Sequence, residues 1–81
     1  MVGKPKYKVG DIVRFKVEDK IKEGPIGIVD EYGTFFDNSD VSYDIFVIEE
    51  NMFYKHFPEK YLVEKVGEMT EEEVYKAMKM L

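Results

Sequence analysis

Cysteine and tryptophan are both missing from this 81-residue chain, and histidine occurs once. Without cysteine, no disulfide can staple the fold and no thiolate can hold a metal ion. That absence fits a reducing compartment, and a cytoplasmic location is the expectation. No stretch approaches the ~20 apolar residues needed to cross a bilayer. The basic start from Met1 to Lys8 lacks the apolar run of a signal peptide, so neither membrane insertion nor export by the usual route is expected. Gly24, Gly27 and Gly33 are too scattered for a Walker loop or a dinucleotide fingerprint. No cofactor is implied.

What is present is a globular composition, 44% hydrophobic and 36% charged, with six Phe and six Tyr. Large rings fill a small core economically. The length allows one domain, which buries a modest share of its unfolded surface. The net charge of −5 is unevenly spread. Residues 1–22 carry seven basic and three acidic side chains, whereas residues 23–81 carry five basic and fourteen acidic. Affinity for phosphates comes mainly from Lys and Arg, so duplex nucleic acid is an unfavourable partner. The basic first quarter can still form a local patch.

Hydrophobic periodicity predicts short strands. Residues 1–6 form a lead-in. In residues 12–17, Val13, Phe15 and Val17 face one way while Arg14 and Lys16 face the other, the period-2 pattern of a half-buried strand. Residues 18–25 are charged and end in Gly-Pro, a loop signal. Residues 26–32 read as a second strand, with Gly27 marking a bulge. A loop over residues 33–40 carries Phe35 and Phe36. Residues 42–49 form the strongest strand, with Tyr43, Ile45 and Val47 on one face and Phe46 and Ile48 on the other. Both faces are apolar, so something must cover the outside. Glu50-Asn51 turns the chain into a strand at residues 52–57. A 3₁₀ turn at residues 58–61 and a closing strand at residues 62–66 follow.

Beyond Gly67 the period changes. Thr70 as N-cap and Glu73 three residues on form a capping box, with Met69 and Val74 at the hydrophobic-staple positions. The predicted helix runs to Leu81, with Val74, Ala77, Met78 and Leu81 on one stripe. A helix of this length is marginal alone in water. It is expected to dock through Val74, Met78 and Leu81, either over Phe46 and Ile48 of its own sheet or on another chain.

The run at residues 7–17, Tyr-Lys-Val-Gly-Asp-Ile-Val-Arg-Phe-Lys-Val, resembles the opening strand of SH3-like barrels of the KOW and Tudor type. Residues 22–29, 43–48 and 57–66 continue the likeness. The pattern is also similar to small SH3-like proteins encoded by phages and prophages of Gram-positive bacteria, notably the YorP-like group. The resemblance implies a mainly β, five-stranded SH3-like barrel over residues 7–66. The short C-terminal α-helix, within residues 67–81, lies outside it. It brings no catalytic residues, and fold alone does not give function. Peptide-binding SH3 domains use an aromatic groove that includes tryptophan, which this chain lacks. A methyl-lysine cage needs clustered aromatics, for which Tyr32, Phe35, Phe36 and Tyr54 are the available set.

Reactive chemistry is sparse. His56 alternates with Tyr54 and reads as a packed or hydrogen-bonded strand residue. Ser39 and Ser42 sit at no nucleophile elbow. Asp37, Asp40 and Asp44 do not match the EF-hand spacing, and turn chemistry accounts for Asp37-Asn38-Ser39-Asp40. No enzymatic activity is expected. The leading expectation is a non-catalytic binding module acting on a protein partner or on itself. Two candidate surfaces arise: Phe35 and Phe36 as apolar anchors, and Tyr7, Arg14, Lys16, Tyr54 and Lys55 as a basic, aromatic face. That face suits an anionic small molecule such as a signalling nucleotide, held stoichiometrically, or a nucleic-acid single strand.

Overall fold

The computed structural model describes residues 4–30 and 41–79, so Phe35, Phe36 and Leu81 lie outside the described residues. Strand β1 (Asp11–Val17) has the alternation expected of it. Val13 and Phe15 are fully buried, while Arg14 and Lys16 face solvent. A two-residue turn, with Glu18 at φ +57°, leads into β2 (Lys20–Asp30). Residues 20–25 are therefore strand rather than the loop their charge suggested. Glu23 pairs with Arg14 of β1 on the solvated face, while Lys20 stays exposed and Lys22, across from Phe15, reaches Glu50. Gly24 marks a close approach of two backbones. A Cβ there would sit 2.0 Å from the Phe46 carbonyl oxygen.

Strand β2 is used twice. Its first half pairs antiparallel with β1, and its second half pairs antiparallel with β3 (Ser42–Val47). The second ladder slips between Ile26 and Ile28, at the glycine where a bulge was expected. A 3₁₀ turn (Ile48–Glu50) and Asn51 in the left-handed region connect β3 to β4 (Met52–Pro58). A second 3₁₀ turn (Glu59–Tyr61) then leads to β5 (Leu62–Glu68), which pairs with β1. The resulting five-stranded antiparallel sheet has the order β4-β3-β2-β1-β5. Among the described residues no ladder joins β4 to β5, so the sheet is not closed.

It is, however, strongly curled. In a flat sheet, strands three places apart would lie about 14 Å from each other. Yet Phe15 of β1 meets the rings of Tyr54 and Phe57 of β4 at centroid distances of 5.4 and 5.1 Å. Inside this curl lie Val13, Phe15, Ile26, Val41, Tyr43, Ile45 and Val47, all buried. Each large apolar side chain there contributes about 1.5–3 kcal/mol on burial. Tyr43 donates its hydroxyl hydrogen bond to Glu59 at the start of the second 3₁₀ turn. That bond ties β3 to the connection that returns the chain to β5.

Helix α1 (Glu71–Lys79) begins with the predicted capping box. The Glu73 amide donates to Thr70 Oγ1 at 3.1 Å, and the Thr70 amide donates to Glu73 Oε1 at 3.0 Å. The Met69 amide donates to the Gly10 carbonyl at 2.7 Å, and the Gly10 amide donates to the Ile26 carbonyl at 3.0 Å. Gly10, at φ +97°, thus joins the helix entry to both β1 and β2. The helix lies over its own sheet. Val74 is buried, and both Met78 Sδ and the Phe53 ring come to Gly27 of β2. Phe46, beside Phe53 at a centroid distance of 5.0 Å, is covered. Ile48 is not: it is 56% exposed. The strand ends at Val47, and the 3₁₀ turn carries Ile48 out of the ladder.

Candidate functional site

The basic face expected from the sequence separates in the structure. The guanidinium of Arg14 lies between two carboxylates, with Nε 3.1 Å from Glu23 and Nη1 3.4 Å from Glu64. Those partners, Glu23 foremost, raise its pKa and hold it to the sheet surface. Tyr7 packs edge-on against Tyr43 at 5.9 Å, half-buried against the core. Tyr54 turns its ring inward onto Phe15 and donates its hydroxyl to Glu50 at 2.6 Å. None of these three therefore joins a common ligand surface.

Lys16 and Lys55 do come together. Their strands are not hydrogen-bonded neighbours, but the curl that brings Phe15 onto Phe57 also brings the end of β1 beside β4. Between them lies a groove of about 570 Å³. Its apolar walls are Val17, Phe57, Pro58 and Tyr61, and Lys16, Lys55, His56 and Glu18 stand around them. Tyr61 is placed by an edge contact with Phe57 at 5.8 Å, and the ammonium of Lys60 lies 5.3 Å from the Tyr61 ring centroid. Among the described residues neither Lys16 nor Lys55 has an ion-pair partner. An apolar wall beside unpaired cations can cover an apolar side chain and hold an anionic group next to it.

His56 was not grouped with the lysines in the sequence, yet it lines the same groove. Its φ of +56° is in the left-handed region, uncommon for a residue with a side chain. The cause is visible. The β3–β4 ladder slips between Tyr43 and Ile45, and the His56 amide turns to donate to Asp44 Oδ1 at 3.0 Å. The imidazole Nδ1 stands 3.8 Å from the same oxygen. A strained, bulged residue at a groove wall is a device that re-aims a side chain. The only sequence signal for it was the break in apolar alternation at Lys55-His56.

Elsewhere the described residues bring together no cluster of three potential metal ligands. Asp44 is the hydrogen-bond acceptor of the bulge, while Asp37 and Asp40 lie outside the described residues. Ser42 is 2% exposed, and among the described residues its Oγ has no hydrogen-bond partner. Among the described residues no helix is long and apolar enough to cross a membrane.

Fold and site together define a small antiparallel β domain with a preformed, solvent-open groove between a hairpin end and a 3₁₀ turn. No protein-family model, curated protein or solved structure matches the chain.

Proposed function

We propose that this chain is a non-catalytic binding module of the SH3-like kind, and that its groove takes a segment of a partner protein in which acidic residues flank an apolar side chain. Three features support the class. The strand order is β4-β3-β2-β1-β5, a long β2 is shared by two ladders, and a 3₁₀ turn separates β4 from β5. The site rests on one observation, the convergence of Lys16 and Lys55 on the apolar walls formed by Val17, Phe57, Pro58 and Tyr61. The chain as a whole is acidic, but charges further off than a Debye length of ~8–10 Å are largely screened, so the local sign governs. A small-anion or single-strand reading leaned on Arg14, whose charge is already engaged by Glu23 and Glu64.

The experiment is a titration of the isotope-labelled chain with two peptides that share a central aromatic residue and differ in flanking charge. The glutamate-flanked peptide is expected to shift the amides of Lys16, Lys55, His56 and Tyr61, and to bind about tenfold more tightly than its lysine-flanked counterpart. Shifts confined to other surfaces, or equal binding of both peptides, would refute the reading.

A further inference from the structure

A second cleft shares no lining residue with the first, and three of its four charged lining residues are acidic. Its volume is about 530 Å³, within the range of about 300–1,000 Å³ usual for ligand pockets. Ile12, Ile21, Ile48 and Met69 supply apolar walls, drawn from β1, β2, the 3₁₀ turn after β3 and the lead-in to the helix. Ile21 and Ile48 are 55% and 56% exposed. Isolated exposed isoleucines are ordinary, but two that line one concavity with further apolar side chains form a patch. The helix expected over Ile48 lies over Gly27 instead. The cleft is braced rather than loose, because Lys22 is ion-paired with Glu50 and Glu50 also accepts the Tyr54 hydroxyl. Lys22, and after it Tyr54, hold the Glu50 carboxyl below its usual pKa.

Charge indicates what fits. The charged side chains that line the cleft are Glu23, Glu49 and Glu50 and, of the cations, Lys22, with Lys20 near Glu50 and Lys16 across from Ile21 at its edge. Lys22 is engaged by Glu50 and Glu23 by Arg14, and among the described residues Glu49 has no ion-pair partner. A second copy docking the same face would bring like charges together. We infer that this cleft is a docking site for a basic amphipathic segment of a partner protein, its apolar side chain seated between Ile21 and Ile48 and its Lys or Arg residues facing Glu49. The cleft shares no lining residue with the groove of Lys16 and Lys55, although Ile21 lies across the ladder from Lys16.

The test uses the full chain and two amphipathic helical peptides with the same leucine stripe, one flanked by Lys and Arg and the other by Glu. The basic peptide is expected to shift the amides of Ile21, Ile48, Glu49 and Met69. It should bind about tenfold more tightly than the acidic one, with the difference shrinking as salt is raised. Glu49→Lys should abolish that preference, and Ile48→Ser should weaken the basic peptide by about tenfold. Both residues are exposed, so circular dichroism should confirm that the variants stay folded. Equal affinities, shifts at Lys55 and Tyr61 instead, or concentration-dependent shifts at Ile21 and Ile48 without peptide (a second copy in the cleft) would each overturn the inference.

Discussion

Replacing Gly10 by alanine should weaken the whole fold by about 3–5 kcal/mol. The magnitude has three sources. A side chain at φ +97° carries a backbone strain of about 1–3 kcal/mol. The new Cβ would stand 2.1 Å from the Met69 carbonyl oxygen, so the helix entry must move. That movement sacrifices the 2.7 Å bond from the Met69 amide to the Gly10 carbonyl, about 1 kcal/mol, and loosens the burial of Val74, about 1 kcal/mol more. A domain of this size is stable by only about 4–12 kcal/mol, so the loss is a large share of the total. Urea denaturation followed by circular dichroism would measure it, and hydrogen exchange across residues 71–79 should rise with it. Gly67→Ala is the control, because its Cβ would meet the Ile12 side chain at ordinary contact distance, Cδ1 at 3.4 Å and Cβ at 3.9 Å, and it should change stability by less than about 1 kcal/mol. If the two variants prove equally stable, the argument that Gly10 joins helix, β1 and β2 is wrong.

Three further outcomes follow from buried or capped polar groups. Burial first, and the hydrogen bond to Glu59 second, raise the Tyr43 pKa, so its neutral form is favoured by folding. The associated stability is complete below the unfolded value of about 10 and is lost at higher pH, so Tyr43→Phe should flatten the alkaline limb of a stability–pH curve. Asp11 behaves oppositely. Its burial raises the pKa, but the Lys8 side chain and amide together with Lys65 outweigh that and lower it, so its stability is present above about pH 4 and is lost as acid protonates it. Asp11→Asn should therefore be destabilising at neutral pH and flatten the acid limb. Thr70→Ala should destabilise by about 1 kcal/mol and raise exchange in α1, whereas Thr70→Ser should restore most of the loss.

The elements that were legible in the sequence are those specified by local chemistry. Val13 and Phe15 alternate with Arg14 and Lys16, the Thr70–Glu73 box starts the helix, and Gly27 marks the slip in the ladder. Residues 20–25 were misread because charge and Gly-Pro usually mark loops. Here Glu23 is paired with Arg14 and Lys22 with Glu50, and Gly24 admits the Phe46 carbonyl. The groove was only half legible. Lys16 and Lys55 were both candidates, but the sheet curl that unites them is a long-range property set by Phe15, Tyr54 and Phe57 meeting inside. Arg14 was drawn off by Glu64, fifty residues away, and no local pattern signals such a pairing. His56 enters the groove through a backbone bulge, and periodicity carries only a break at that point.

The most direct measurement is a charge exchange at the groove. The Lys16→Glu, Lys55→Glu double variant should be titrated beside the unaltered chain with the glutamate-flanked and lysine-flanked peptides at low salt. The account predicts reversed preference: the variant loses the acidic peptide and gains the basic one, each by about tenfold or more. Unchanged affinities in a variant that circular dichroism shows to be folded would contradict it.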